Sequence, residues 1–162
     1  MRIHIATDHA GLEFSQDLAD HLGHEGLDVV DHGPQEFDAD DDYPSFCIAA
    51  ARAVVADREA GVDALGIILG GSGNGEQIAA NKVAGARAAL VWSVNTAVLA
   101  REHNNANIAA IGARQHSIDE ALLFIDTFVR TPFPGEERHV RRVAQIAEFE
   151  TTGAIGGFDT GA

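Results

Sequence analysis

Residues 65–82, LGIILGGSGNGEQIAANK, restrict the fold of this 162-residue chain more than any other stretch. An apolar run of isoleucine and leucine ends in four glycines spaced around Ser72 and Asn74, and small residues with helical spacing follow from Glu76. This order predicts a buried parallel strand, a tight turn and the start of a helix. Glycines let a ligand approach the backbone, and the first N–H groups of a helix lack internal partners. We therefore expect the turn to bind an anion or to stabilise an oxyanion.

The rest of the chain alternates between short apolar runs and stretches with helical spacing. The apolar run before the glycine turn is one predicted strand, and four more are predicted at 2–6, 27–31, 86–92 and 108–112. Helices are predicted at 12–22, 45–60, from the glycine turn to about 82, 95–103, 117–130 and 136–151. This alternation predicts an α/β fold of the doubly wound, Rossmann-like class, with a five-stranded parallel sheet, helices on both faces and a C-terminal helix. We expect one domain over residues 1–152 and a disordered, glycine-rich tail over 153–162.

The acidic composition restricts the partners of the chain. A formal net charge of −14 argues against nucleic acid and anionic membranes, since both need a basic protein surface. No apolar run is long enough to span a membrane, and the N-terminal RIHIA has no features of an export signal. The single cysteine, Cys47, cannot form an internal disulfide and is interpreted as a core residue. We therefore expect a cytoplasmic protein.

Three predicted turns bring polar side chains to the carboxyl edge of the sheet, where doubly wound folds bind ligands. They carry Asp8 and His9, the glycines up to Glu76, and Arg114. The glycine turn lacks the Gly-Lys-Ser/Thr ending of a phosphate-binding P-loop, and its G-x-G-x-G spacing does not fit a dinucleotide fingerprint. Each feature also has a purely structural interpretation: Asp8 is a helix N-cap, and the glycines do no more than form a tight turn.

Glu76 has two interpretations. A carboxylate in the first turn of a helix is favoured by the helix dipole alone. Beside backbone donors, it can instead act as a general base that removes a proton next to a carbonyl, because partial burial raises the pKa of a carboxyl. His103 can act as an acid, because histidine is the side chain that ordinarily serves this role at neutral pH, whereas Asn104 fits a helix C-cap. The other histidines, His139 among them, are interpreted as surface or packing residues. Their spacing does not fit zinc, so we expect no metal.

Arg138, Arg141 and Arg142 concentrate positive charge on one predicted helix. Arg138 and Arg142 are four residues apart and therefore point from the same helix face. Nearby glutamates can neutralise them as part of a solvated face. In so acidic a chain we favour phosphate binding, since guanidinium groups form charge-assisted hydrogen bonds with phosphate oxygens.

Motifs over almost the whole chain, about residues 2–150, occur in an order typical of one family. They are Ala6–Gly11, Asp42–Pro44, Gly71–Gly75, Ile78–Lys82, Arg101–Asn104, Ile111–Arg114 and Arg138–Arg142. In these motifs the chain resembles the type B ribose-5-phosphate isomerases, within the wider ribose/galactose isomerase family that includes galactose-6-phosphate and allose-6-phosphate isomerases. The resemblance implies an aldose–ketose isomerase that acts on a phosphorylated sugar through an enediol or enediolate, without a metal or a cofactor.

The resemblance also implies roles for the residues at the predicted turns. Asp8 and His9 contact the substrate, with His9 near its phosphate and Asp8 among the catalytic residues. Tyr43 lines the sugar pocket, and Ser72 assists the movement of a proton between the C1 and C2 oxygens. These two oxygens are bound by the turn residues Gly71, Ser72, Gly73, Asn74 and Gly75.

Further roles fall on residues later in the chain. By the same resemblance His103 opens the furanose ring and Asn104 holds a hydroxyl group, while Arg114, Arg138 and Arg142 bind the 5-phosphate. The family implies a homodimer with shared active sites, in which His103, Asn104 and Arg114 come from the partner subunit.

One position departs from the family pattern. Many members carry a cysteine as the base at the end of the third strand, where this chain has Gly70. The chain looks like the actinobacterial branch, in which a glutamate after the glycine turn takes that role, and the base is then Glu76. We expect interconversion of D-ribose 5-phosphate and D-ribulose 5-phosphate in the pentose phosphate pathway. The alternatives are isomerisation of a tetrose or hexose phosphate and, from another class, a non-catalytic sugar-phosphate sensor or a nucleotide-binding module.

Overall fold

The computed structural model describes residues 1–154 and 156. Its one parallel sheet contains β1 (Arg2–Ala6), β2 (Asp28–Asp31), β3 (Ala64–Gly70), β4 (Ala88–Leu90) and β5 (Ile108–Gly112). The α-helices of the described residues are α1 (Leu12–His24), α2 (Tyr43–Glu59), α3 (Asn74–Ala80), α4 (Val94–Asn104), α5 (Ile118–Arg130) and α6 (Glu137–Thr152). The predicted α/β fold with a five-stranded parallel sheet is confirmed. Most of the predicted tail, residues 155 and 157–162, lies outside the described residues.

The strand order β2-β1-β3-β5-β4 creates a crevice at the carboxyl edge of the sheet. The chain leaves β1 towards β2 on one side and later reaches β3 on the other, so the connections diverge between β1 and β3. All seven residues of β3 are buried, as a central parallel strand requires. β4 is shorter than the predicted 86–92, because it is an edge strand that pairs with β5 over 88–90, and Trp92 beyond it is exposed.

Alternate strand residues supply two apolar cores on opposite faces of the sheet. Ile67 and Leu69 face the core that includes α1, α4 and α5, whereas Ile68 faces the core that includes α2 and α3. Cys47 of α2 is fully buried in the second core, which confirms its interpretation as a core residue. Because both faces of the sheet are covered, the carboxyl ends of β1, β3 and β5 are firmly fixed, and the turns that follow them start from rigid positions.

The last helix, α6, lies apart from both cores and packs against α4. His139 is buried within it, whereas Val140, Ile146 and Phe149 are 47%, 55% and 50% exposed. An amphipathic helix with half-exposed apolar side chains is typical of an interaction surface. Among the residues that the structure describes, no helix has both the length and the apolar character needed to cross a bilayer.

Candidate active site

The glycine turn between β3 and α3 is hydrogen-bonded to the end of β5. The N–H groups of Ala113 and Arg114 donate to the carbonyl oxygens of Gly70 and Gly71 at 2.7 and 3.3 Å. Gly73, the residue before α3, has a φ of 80°, and a Cβ added there would lie 3.0 Å from the backbone of β5. Only glycine satisfies both the positive φ and this close approach. Backbone contacts with the end of β5 therefore help to set the position of the turn.

Ser72 and Asn74 lie on the open side of this turn. The Ser72 hydroxyl oxygen accepts from the backbone N–H and from Nδ2 of Asn74, both at 3.3 Å. The two side chains line a cavity of about 350 Å³ together with Trp92, Gln115 and His116. The hydroxyl of Ser72 is thus held beside an open space at the carboxyl edge of the sheet.

Glu76 lies on the first turn of α3 and folds back onto the end of β3. A Cβ at Gly70 would overlap with Oε1 and Cδ of Glu76, so the carboxylate fills the space that a side chain at position 70 would need. Position 70 is where many members of the resembling family carry their cysteine base. The Glu76 carboxylate therefore occupies the same place, although it comes from the following helix.

The surroundings of Glu76 favour its neutral form. The residue is 4% exposed, and within the described part of the chain its Oε2 is the buried side-chain atom that has no hydrogen-bond partner. Burial raises the pKa of Glu76 above its usual value, and the charge of Asp8 adds to this, while the N–H groups of Glu76 and Gly73 oppose it. Burial raises the pKa of the Cys47 thiol to about 12, and the charges of Glu76 and Asp8 add to this, so the thiol stays protonated near neutral pH.

Asp8 and His9 follow β1 at the same edge of the sheet. Asp8 accepts a hydrogen bond from the N–H of Ala10 at 2.9 Å and is the N-cap of the short 3₁₀ turn His9–Gly11. The N-cap of the first α-helix, α1, is Gly11, so Asp8 is a cap but not of that helix. Asp8 is also buried and acts on the pKa of Glu76. The cap therefore has a second effect, since it places a negative charge beside the carboxylate of Glu76.

Asp41 is a residue of this site that sequence reasoning missed. Its Oδ1 lies 2.7 Å from Nδ1 of His9, and the backbone N–H of His9 donates to both of its carboxylate oxygens at 3.1 Å. These bonds fix the imidazole ring with Nδ1 towards Asp41 and Nε2 away from it. Asp41 belongs to an acidic loop, and no spacing within that loop distinguishes it from its neighbours.

Asp8, His9 and Asp41 together form a group that could hold a cation. Asp8, His9 and Asp41 each offer a ligand atom, and these atoms lie within 4.8 Å of one another. However, Asp8 is engaged as a cap, and His9 and Asp41 are in direct hydrogen-bond contact, so a bound cation would have to break existing bonds. The expectation of a metal-free site stays a prediction.

Tyr43 and Arg114 complete this part of the site. A Cβ at Gly75 would lie 2.6 Å from Cζ and the hydroxyl oxygen of Tyr43, so the ring packs directly on the turn. A Cβ at Gly71 would lie 3.8 Å from Cδ and Nη1 of Arg114. The resemblance implied that Arg114 comes from the partner subunit, but the structure brings it to the turn of its own chain. We call this set the edge group: Asp8, His9, Asp41, Tyr43, Gly71–Glu76 and Arg114.

The remaining predicted site residues lie elsewhere, on α4 and α6. His103 and Asn104 end α4, and the His103 ring stacks on that of His139, with centroids 4.2 Å apart and planes 11° apart. Arg138 pairs with a glutamate, Glu136, at 3.2 Å, in agreement with the solvated-face interpretation. In the part of the chain that the structure describes, Arg142 forms no ion pair. We call His103, Asn104, Arg138, His139 and Arg142 the helix group.

The length of α4 separates the two groups. The helix starts at the carboxyl edge after β4 and runs back, so its last turn lies at the amino edge. There, Arg87, just before β4, donates to the carbonyl oxygens of Asn104 and Asn105. A helix of 11 residues is about 16 Å long. Glu76 and His103 of one chain therefore lie at opposite edges of the sheet.

Fold and site together define a doubly wound α/β protein with a ligand site at the switch point, where a glycine turn and a buried carboxylate meet. The family model for Ribose/Galactose Isomerase matches residues 3–146. The chain belongs to the ribose/galactose isomerase family.

Individual relatives support the same assignment. Ribose-5-phosphate isomerase B of Mycolicibacterium paratuberculosis is 55% identical over 96% of this chain and 100% of its own length. Ribose-5-phosphate isomerase B of Mycobacterium tuberculosis is 56% identical over 94% of this chain and 91% of its own. The crystal structure of ribose-5-phosphate isomerase B from Mycoplasma genitalium, with bound ribulose-5-phosphate, has a TM-score of 0.88 at 41% identity and covers 93% of this chain and 97% of its own. The mycobacterial relatives agree with the predicted actinobacterial branch.

Proposed function

We propose that this chain is an aldose–ketose isomerase that interconverts D-ribose 5-phosphate and D-ribulose 5-phosphate. Its relatives are named ribose-5-phosphate isomerase B, and the Mycoplasma genitalium relative binds ribulose-5-phosphate. The observation that carries the proposal is the buried Glu76 carboxylate, which has an unpartnered oxygen at the end of the glycine turn. A sensor of sugar phosphates would need cationic groups but no such base. A metal-free reaction and a cytoplasmic location are parts of the same proposal.

The reaction moves two protons between neighbouring atoms of the open-chain sugar. Glu76 takes the proton from C2 of ribose 5-phosphate, and the electron pair of that C–H bond forms the C1=C2 double bond of an enediolate. Amide N–H groups of the glycine turn stabilise the developing negative oxygen. Glu76 then returns its proton to C1, while Ser72 passes the O2 proton to O1, which leaves the C2 ketone of ribulose 5-phosphate. The raised pKa of Glu76 suits a group that must accept and return a proton.

The other residues bind the ends of the substrate. His103 opens the furanose ring by moving a proton between the ring oxygen and O1, and Asn104 holds a hydroxyl group. Arg114, Arg138 and Arg142 bind the phosphate, since guanidinium groups match phosphate oxygens in charge and geometry. His9, held by Asp41, directs its Nε2 to the same end of the substrate.

A complete site in this proposal needs two copies of the chain. One chain holds its edge group and its helix group at opposite edges of the sheet, so a symmetric dimer brings the edge group of one copy to the helix group of the other. The half-exposed Ile146 and Phe149 on α6 supply apolar surface for such an interface. Arg114 then acts from the same copy as Glu76.

The activity is tested by isomerisation of ribose 5-phosphate with and without a metal chelator, beside tetrose and hexose phosphates. We expect chelator-resistant turnover with the highest kcat/KM on the pentose phosphate. Loss of turnover with the chelator would contradict the metal-free reaction, and preference for another sugar would reassign the substrate.

The shared site is tested by mixing two inactive variants, Glu76→Gln and His103→Ala, through unfolding and refolding. Random pairing makes half of the dimers mixed, with one copy of each variant. If sites are shared, one of the two sites in each mixed dimer has both Glu76 and His103, so about 25% of wild-type activity returns. If each chain carries a whole site, no activity returns.

A further inference from the structure

His139 occupies an unusual position for a polar residue. It is 3% exposed on a helix whose Val140, Ile146 and Phe149 are about half exposed. An apolar side chain would fill a buried position at lower cost in free energy, because a buried imidazole must satisfy its nitrogen atoms. The contacts of His139 therefore indicate a role beyond packing.

The contact with Arg138 defines the protonation state of His139. Nε of Arg138 lies 3.1 Å from Nε2 of His139. A guanidinium group donates hydrogen bonds and never accepts them, so Nε2 carries the lone pair and the ring is neutral with its proton on Nδ1. Burial lowers the pKa of His139, and the charges of His103, Arg138 and Arg142 add to this, while Glu136 opposes it.

The face of the same ring contacts His103. The two imidazoles are stacked, with their centroids 4.2 Å apart and their planes 11° apart. Stacking fixes the plane in which the His103 nitrogens lie. Because the His139 ring is neutral, His103 can gain a proton beside it, whereas two stacked imidazolium rings would repel each other.

We propose that His139 is a positioning residue that joins the phosphate-binding Arg138 to the ring-opening His103. Together with Glu136, whose Oε2 lies 3.2 Å from the same nitrogen, it holds Arg138 at Nε, which leaves the two terminal nitrogens of the guanidinium for a phosphate. It also orients His103 through its ring face. Phosphate bound at Arg138 thereby sets the position of the group that opens the sugar ring. The inference rests on the proposed function, because that function gives Arg138 and His103 their roles.

Two variants separate the two contacts. His139→Phe keeps a flat ring against His103 but cannot accept from Arg138, so KM for ribose 5-phosphate should rise roughly tenfold with kcat nearly unchanged. His139→Gln keeps an acceptor for Arg138 but lacks the ring, so kcat on ribose 5-phosphate should fall roughly tenfold with KM nearly unchanged. His24→Gln, at an exposed position of α1, is the control and should change neither constant.

A second readout isolates ring opening from proton transfer. Ribulose 5-phosphate has its C5 oxygen blocked by phosphate and stays open-chain, so exchange of its C1 proton in D₂O needs Glu76 but no ring opening. His139→Gln should keep this exchange, measured by NMR, within about twofold of wild type. An equal loss of exchange and turnover would overturn the proposal, as would two variants with the same kinetic defect. A wild-type protein without exchange or isomerisation would instead refute the proposed function.

The tautomer of His139 is testable in the unaltered protein. Nitrogen NMR of the histidine side chains should show Nε2 of His139 unprotonated and Nδ1 protonated at neutral pH. A protonated Nε2 would overturn the proposal even if both variants fail to fold.

Discussion

The edge group and the helix group are held in place in different ways. Most of the edge group follows directly from β1, β3 and β5, and its carboxylates Asp8 and Glu76 are 7% and 4% exposed. The helix group stands on the end of α4 and on α6, and the side chain of Arg138 is 58% exposed. The base and the turn proposed to move the proton between C2 and C1 are therefore fixed by the core of one chain, whereas Arg138 and Arg142, proposed to bind the phosphate, lie on a surface that a second copy would cover.

This difference suggests a division of labour within the proposed site. Proton transfer requires the base and the amide donors to be positioned within a fraction of an ångström, which backbone turns at the ends of buried strands provide. Phosphate binding tolerates longer side chains, because charge attraction acts over a greater distance. Substitutions of Glu76 and of the α6 arginines should accordingly change different kinetic constants.

Glu76→Gln should have the largest effect. Loss of the general base is expected to lower kcat by roughly 10²–10⁴ with little change in substrate affinity. Steady-state kinetics on ribose 5-phosphate and C1 proton exchange on ribulose 5-phosphate should fall together. Glu59→Gln, an exposed substitution on α2, is the matched control. Near-normal turnover of Glu76→Gln would show that the base is another group.

Arg138→Ala and Arg142→Ala should come next. Each is expected to raise KM for ribose 5-phosphate by roughly 10–100-fold, because a charge-assisted bond to phosphate is lost, while turnover of unphosphorylated ribose stays the same. Arg141→Ala, on the same helix, is the control. An equal effect on phosphorylated and free ribose would remove the phosphate-binding role from the helix group.

Asp41→Ala should have a smaller effect on KM for ribose 5-phosphate than the arginine substitutions. It frees the ring of His9, and KM for ribose 5-phosphate should rise roughly three- to tenfold, since one oriented hydrogen bond is lost. Asp40→Ala, the exposed neighbour, should leave KM unchanged. Activity that responds to added divalent metal in wild type but not in Asp41→Ala would reveal a cation site in place of an oriented histidine.

Thermal stability should show the opposite pH dependence in the two groups. Because the pKa of Glu76 is raised in the folded protein, its contribution to stability is present below its usual value of 4.5 and is lost as pH rises through the folded value. Glu76→Gln should therefore raise Tm at pH 7.5 and lose this advantage in acid. An unchanged or lower Tm at pH 7.5 would mean that the ionised carboxylate is not strained by burial.

For His139 the direction is reversed, and the expected effect is the smallest. The pKa of His139 is lowered in the folded protein. Its contribution to stability is therefore present above pH 6.5, the usual pKa of histidine, and is lost as pH falls through the pKa of the folded state. His139→Phe should reduce the fall in Tm between pH 7.5 and pH 5.5. Some fall should remain, because the pKa of His32 is lowered as well, by burial and by His4. An unchanged pH slope would mean that His139 is not held neutral.

The sequence predicts the sheet and the glycine turn because their signals are local. Apolar runs and glycine spacing are readable over a few residues, and Glu76 is picked out by its place directly after the turn. Asp41 and His139 are missed for the opposite reason. Asp41 acts on a residue 32 positions earlier, from within a run of similar acids. His139 stacks on a ring in another helix, and its place in the sequence does not show this contact. Spacing along the chain also does not reveal that α4 carries His103 away from Glu76.

The overlap between a side chain at position 70 and the carboxylate of Glu76 limits the routes by which such enzymes can diverge. A lineage with a cysteine at position 70 cannot acquire this glutamate conformer while the thiol remains, and the present chain cannot regain the thiol without displacing its carboxylate. Exchanging one base for the other therefore requires paired substitutions, and a reagent that alkylates thiols finds no thiol at position 70 of this chain.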